Sequence, residues 1–461
     1  MSGFVADVRR LLPLAWPVLV GQLAVLAFGT IDTLLVARHS PAELGAFAVG
    51  AAAYITVFVG LMGTVLAVSP TVGQLFGAGR LSAAGDQVHQ GIWLALGLAV
   101  PGCALLLFPQ PFLALAHATP EMAGQVRGYL MALTLALPAV LLFTVYRAFN
   151  TAVSRPKAVM VLQLAGLLVK VPLSALLVFG APGWGVPSLG VTGAGLATAV
   201  AMWLQLLVAW RVLRRDPFYD RFELWGRGLH APQRAALLGL LRLGVPMGLA
   251  VLVEVSAFSF MAFFIARLGT VAVAGHQIAM NLVSLMFMLP LSLANAGSTL
   301  VAQRVGAGDL PDARRLGWHA LWFAGLASAV LALAIYLGRV SVVGLYTSDP
   351  AVAAGALALL SWLVVFHVCD AVQTMAAFVL RAWRVATVPM VIYAGTLWGV
   401  GLGGGSLLAF GTDPAIPDAL HGAPGYWAAA TAALVFCSLG LTGFKAWVLR
   451  ARAGGPAAPA A

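Results

Sequence analysis

The chain has 461 residues, of which 61% are hydrophobic and 9% charged, and its mean hydropathy is +0.97. Soluble globular domains carry about 25% charged residues, so a water-soluble enzyme or binding module is excluded. The net charge of +11 would suit nucleic acid, but the basic residues concentrate in alternate loops, which is a membrane-topology pattern.

Twelve apolar segments follow in order, at 11–36, 46–70, 91–115, 127–150, 158–180, 190–213, 238–265, 273–300, 316–345, 352–380, 386–410 and 425–450. Each is as long as the ~20 residues a helix needs to cross hydrocarbon. A β-barrel would show shorter, alternating segments. The first begins near Leu11 with no small-residue cleavage site behind a short core. It reads as a first span, not a signal peptide. The second and eighth end on Gly77-Ala78-Gly79 and Gly306-Ala307-Gly308, which read as helix caps. Gly401 to Gly405 lies inside the eleventh and predicts close helix packing or a kink. The sixth span runs into the polar segment 214–236. This predicts a linker with an amphipathic interfacial piece around Phe218, Tyr219, Phe222, Leu224 and Trp225.

With both termini cytoplasmic, 21 of the 26 Lys and Arg residues fall on the cytoplasmic side. Arg38, Arg127, Arg267 and Arg339 fall outside, and Lys170 lies within a span. That asymmetry sets the expected orientation, with membrane lipids as partners of the basic loops. Cys103, Cys369 and Cys437 sit in apolar runs without paired spacing and read as free thiols.

The chain repeats itself at an offset of 229 residues. Pro17 matches Pro246, Ala37-Arg38 matches Ala266-Arg267, Val72 and Gln74 match Val301 and Gln303, and the two Gly-Ala-Gly caps coincide. Six spans per repeat is an even number, so the two copies are parallel. The predicted fold is all-α and polytopic: twelve transmembrane helices in two six-helix lobes related by a parallel internal repeat. The predicted organisation is an N-terminal lobe at 1–213, a cytoplasmic linker at 214–236, a C-terminal lobe at 237–453 and a disordered tail at 454–461. Substrate sites in such repeats lie near the middle of the membrane.

Asp32, Glu254 and Asp370 lie inside apolar spans, where a charge is expensive and usually functional. Glu254 is 12 residues past Arg242, roughly 18 Å from the inner boundary; Asp370 is 11 before Arg381, roughly 16 Å from it. Two acids from separate helices at one depth can hold one Na⁺ between them or share protons. Asp32 lies six residues before Arg38, roughly 9 Å below the outer boundary. Lys170 is its expected partner, with Ser174 level with it. His367 shares a helical face with Asp370. Gln277 and Asn281 form a polar stripe that either lines a cavity with Glu254 or bonds helix to helix. Phe258 and Met261 follow Glu254 at helical spacing, and an aromatic wall beside a carboxylate suits lipophilic cations. No G-x-x-x-x-G-K-[ST] or H-E-x-x-H occurs, so neither a P-loop ATPase nor a zinc protease is predicted. No tightly bound cofactor is expected.

Residues 244–309 resemble the seventh and eighth helices of MATE multidrug and toxin extruders, NorM branch. Residues 28–50, SRPKAVM (154–160), GVTGAGLATA (190–199) and CDAVQTMAAFVLRA (369–382) resemble the same family in the same order. The resemblance implies two lobes around a V-shaped cavity and cation-coupled efflux of organic cations. It implies that Glu254 and Asp370 form the second-lobe cation site and that Asp32 is the first-lobe aspartate. Two positions depart from the family pattern. Phe366 stands where a tyrosine can occur, and Lys170 and Ser174 stand where the fifth helix usually carries asparagines.

The expected function is therefore antiport of amphipathic organic cations against H⁺ or Na⁺, in a bacterial inner membrane, by a functional monomer that is no enzyme. A flippase for lipid-linked sugars would share the fold but favours a cationic cavity. A membrane-embedded transferase would need acids clustered near a membrane surface.

Overall fold

The computed structural model describes residues 2–116, 119–225, 228–411 and 417–451; the tail expected at 454–461 lies outside them. Among the described residues twelve helices are long and apolar enough to cross a membrane. They are α1 (Gly3–His39), α2 (Pro41–Gly77), α3 (Leu81–Leu107), α4 (Pro120–Ala152), α5 (Pro156–Phe179), α6 (Gly190–Arg215), α7 (Arg234–Ala266), α8 (Thr270–Gly306), α9 (Leu310–Leu337), α10 (Pro350–Ala382), α11 (Thr387–Phe410) and α12 (Ala423–Ala451). Proline occupies the first helical position of α2, α4, α5 and α10, where its missing N–H costs nothing.

Several span ends differ from the sequence expectation by seven residues or more, and at two of them the structure shows the physical reason. The third span was expected at 91–115, yet α3 starts ten residues earlier. Its first turns carry Ser82, Asp86, His89 and Gln90, which are polar but find partners in the linker. The ninth was expected to run to 345, yet α9 stops at Leu337 and a separate short helix, Arg339–Tyr346, follows Gly338.

The helices form two compact units, residues 16–248 and residues 1–15 with 249–461. In the first, α4 is the central helix, packing on α2, α3 and α6, while α5 packs on α6. In the second, α10 is central and packs on α8, α9 and α12. These packing pairs recur when six is added to each helix number, so the repeat extends to tertiary packing. Backbone geometry repeats too. Gly79 and Gly308 have φ of +71° and +77°, the left-handed C-terminal conformation that glycine tolerates. Ser154 and Arg384 also match, with φ of +61° and +58° at the ends of α4 and α10. Behind them Arg155 N–H donates to the Asn150 carbonyl, and Val385 N–H to the Leu380 carbonyl. The second half-repeat is faint in sequence, but here the fold preserves it.

Small residues let these helices approach. A Cβ on Gly193 of α6 would lie 2.4 Å from the Leu177 carbonyl oxygen of α5. A Cβ on Gly248 of α7 would lie 2.4 Å from the Gly60 carbonyl oxygen of α2. Gly248→Ala should therefore overpack this crossing and cost about 1–3 kcal/mol. Thermal unfolding in detergent checks this, and an unchanged melting temperature would refute the contact. In α11, Ala394–Gly404 is a π-helical stretch, and a Cβ on Gly405 would lie 2.4 Å from the Tyr426 ring. The glycine run thus serves both packing and helix irregularity.

Three of the five apolar linker residues turn inward onto protein, while Trp225 stays 36% exposed. Tyr219, Phe222 and Leu224 are at most 2% exposed. Phe222 stacks on Phe76 and meets Phe149 edge-on, and the Tyr219 hydroxyl donates to Asn150 Oδ1 at 2.6 Å. Phe222 and Tyr219 thus pack against Phe76, Phe149 and Asn150. Asp216 anchors the start of the linker. Its carboxylate accepts from Phe218 N–H and pairs with Arg155 at 2.5 Å. The Phe218 N–H first, and the Arg155 guanidinium second, hold its carboxyl below the usual range.

Candidate functional site

Glu254 projects from the middle of α7, and Asp370 from α10, in the unit built on the second half. The structure brings them together through a residue the sequence reading had passed over. Gln373 Nε2 donates to Glu254 Oε1 at 3.1 Å and to Asp370 Oδ1 at 2.9 Å. The two carboxylate oxygens are therefore no further apart than those two bonds laid end to end. Gln373 lies three residues after Asp370, on the same helical face. Its own Oε1 is buried with no hydrogen-bond partner among the described residues. A buried amide oxygen beside two acids is a ready ligand for a proton-bearing group or a cation.

Phe258 and Phe366 lie one helical turn from Glu254 and Asp370 on the same helices. Phe366, 1% exposed, lies between Phe258 at 6.0 Å and Trp427 at 5.4 Å between ring centroids. Trp427 Nε1–H donates to His276 Nδ1 at 3.2 Å. Met261 is buried in the same core. His367 is fully buried, and neither ring nitrogen has a partner among the described residues. Gln277 and Asn281 lie on the exposed face of α8, and neither is hydrogen-bonded to the acids among the described residues. Asn281 Oδ1 accepts from the Tyr346 hydroxyl at 2.9 Å, the helix-to-helix alternative.

Gln373→Leu would remove both bonds at once. Hydrogen bonds to charged groups are worth about 1.5–3 kcal/mol each. The expected outcome is a lower melting temperature. An unchanged melting temperature in this variant would make the bridge dispensable.

The other acid sits in the unit built on the first half. Lys170 Nζ donates to Asp32 Oδ2 at 2.5 Å and to the Phe28 carbonyl at 3.2 Å. Ser174 Oγ donates to Asp32 Oδ1 at 3.0 Å. All three side chains are buried, and the ammonium also lies 4.9 Å from the centre of the Phe28 ring. Both carboxylate oxygens are thus occupied by donors from α5. A second buried lysine, Lys445 in α12, escaped the sequence reading because it lies near the helix end. It points at the Gly317 carbonyl and lies 3.6 Å from the centre of the Trp318 ring.

Comparison with known proteins agrees with this architecture. The MatE family model matches twice, at residues 17–176 and 246–404, starting at positions separated by the repeat offset. The chain is 40% identical over 447 residues to the probable multidrug resistance protein NorM of Aromatoleum aromaticum, covering 96% of this chain and 93% of that one. It is 35% identical to the multidrug resistance protein PmpM of Pseudomonas aeruginosa, covering 86% and 83%. The fold is similar to that of the Vibrio cholerae MATE transporter VcmN in its bent form, with a TM-score of 0.85 at 18% identity over 98% and 99% of the two chains. Twelve membrane-crossing helices in a repeated plan, matched along nearly their whole length by NorM proteins, place this chain in the MATE family of transporters, in its NorM branch.

Proposed function

We propose that the protein exports amphipathic organic cations across a bacterial inner membrane, in exchange for protons moving inward. Both termini face the cytoplasm, and a single chain is the working unit. The observation that carries this reading is the bridge from Glu254 through Gln373 to Asp370. Two acids from different helices share one donor and face an apolar wall. Their negative charge can be satisfied by a proton or by an organic cation, and the two compete. Competition, combined with exchange between two conformations of differing affinity, is sufficient for antiport. Phe258 and Phe366 supply aromatic faces, and a desolvated cation–π contact adds about 0.5–2 kcal/mol. The names of the relatives, which are multidrug resistance proteins, support the substrate class.

Protons are favoured over Na⁺ on two grounds. Phe366 offers no hydroxyl oxygen, and Na⁺ needs oxygen ligands as other hard cations do. His367 adds a titratable group one helical turn from Asp370. Asp32, tied to Lys170 and Ser174, acts in this reading as a neutralised pair and not as an independent ion site.

The experiment is drug efflux from reconstituted vesicles with a pH gradient or a sodium gradient imposed separately. A pH gradient alone should drive efflux. Drug release after a sodium jump at clamped zero pH gradient, lost in Asp370→Asn, would assign Na⁺ instead. Efflux indifferent to both gradients would refute antiport.

A further inference from the structure

We propose that Asp86, His89 and His230 form a binding site for one divalent transition-metal ion, of the zinc type, which fastens the linker between the two halves to α3. The three side chains each offer one ligand atom, and these atoms all lie within 4.8 Å of one another. Asp86 and His89 are three apart on α3 and so share a face. His230 comes from the linker, four residues before α7 begins at Arg234. All three belong to one compact unit, and none takes part in the carboxylate bridge described above.

The donor set selects the ion. Two imidazole nitrogens and one carboxylate suit borderline metals such as Zn²⁺, Co²⁺ or Ni²⁺, whereas Mg²⁺ and Ca²⁺ require oxygen. Three protein ligands leave a fourth position for water, the arrangement of open zinc sites. The outer contacts also fit. His89, 3% exposed, points Nε2 at the Leu224 carbonyl at 3.0 Å, so that nitrogen carries the hydrogen. The lone pair is therefore on Nδ1, which faces His230 and accepts only its backbone N–H, at a long 3.3 Å. A carbonyl fixing the remote nitrogen is the outer contact that ligating histidines nearly always have. His230 Nδ1 meets Asp86 Oδ1 at 2.6 Å; a metal ion would replace the hydrogen now shared there. The two rings stand edge to face at 4.6 Å.

Ligand atoms around tetrahedral zinc lie about 3.3 Å apart, given bonds of about 2.0–2.1 Å. Small side-chain rotations reach that spacing, because the backbones are already pinned. Gln90 Nε2 donates to the Ala231 carbonyl, Gln233 N–H donates to Gln90 Oε1, and Trp93 Nε1–H donates to the His230 carbonyl. Asp86 is 41% exposed and His230 28%, so an ion reaches the site from water while His89 forms its floor. Residues 144 apart in sequence are thus held ready to share one ion.

The test uses full-length, tag-free protein in detergent, stripped with a chelator. Zn²⁺ is titrated by calorimetry, and Co²⁺ is followed by its visible absorption. One saturable Zn²⁺ per chain is expected, with a tetrahedral Co²⁺ spectrum and a melting temperature that rises with Zn²⁺. Asp86→Asn and His230→Gln should each weaken binding on the order of tenfold or more, and His421→Gln should leave it unchanged. His89→Gln carries a folding risk at a buried position, so the two more exposed variants decide. Absence of saturable Zn²⁺ binding below about 1 mM, or binding that survives both variants, would overturn the proposal.

Discussion

Glu254→Gln and Asp370→Asn should each abolish coupled drug efflux while leaving a folded protein. Each change keeps the side chain's shape and its place beside Gln373, and removes only the charge. Gln373 Nε2 can still donate to the remaining amide oxygen, so packing should survive. A neutral amide can neither take up the coupling ion nor attract a cationic drug. The loss should therefore be at least about a hundredfold, or close to 3 kcal/mol in transport terms. Melting temperature should stay within a few degrees of wild type, because one neutral acceptor replaces one carboxylate while the other acid keeps its bond to Gln373. Purified, well-folded variants that still drive efflux at the wild-type rate would remove these residues from the mechanism.

Lys170→Met should be the more damaging change for stability. It leaves the Asp32 carboxylate buried with only hydroxyl donors, Ser174 and Thr198, and no counter-charge. Breaking a buried ion pair from one side costs about 3–5 kcal/mol, whereas replacing both partners by apolar groups of similar size is often neutral. Asp32→Asn alone leaves the ammonium without a counter-charge, its remaining partners being the neutral amide oxygen, the Phe28 carbonyl and the face of the Phe28 ring. The double variant Asp32→Asn with Lys170→Met should therefore be milder than either single one. A double-mutant cycle on melting temperature should give a coupling of about 2 kcal/mol or more. Plain additivity would mean that the 2.5 Å contact contributes nothing net.

Much of this could be read directly from the chain. Twelve long apolar runs predict twelve helices because lipid leaves the backbone only helices or closed barrels, and barrel strands are shorter and alternate. The repeat was visible because the Gly-Ala-Gly caps require a left-handed residue at Gly79 and Gly308, which few other residues supply. The acids stood out because charge is so rare in a span. Gln373 did not stand out, since a single amide in a helix usually marks helix packing, and its role depends on how α7 faces α10. The start of α3 was hidden by its own polarity: Asp86, His89 and Gln90 are tolerable in a helix only because the linker satisfies them. The inward turn of Tyr219, Phe222 and Leu224 was hidden for the converse reason. An amphipathic pattern reports that one face is covered, not whether lipid or protein covers it. The π-helical stretch of α11 left no local trace beyond its glycines.

In the proposed mechanism, ion and drug compete for the same pair of acids. The direct measurement is the affinity of a fluorescent lipophilic cation for the purified protein, taken across pH at fixed Na⁺ and across Na⁺ at fixed pH. Affinity should weaken as the pH falls, on the order of tenfold per pH unit once the pair is taking up one proton per drug released, and Asp370→Asn should flatten the curve. Drug affinity that is independent of both ions in the wild type, or pH dependence that persists unchanged in Asp370→Asn, would contradict the account.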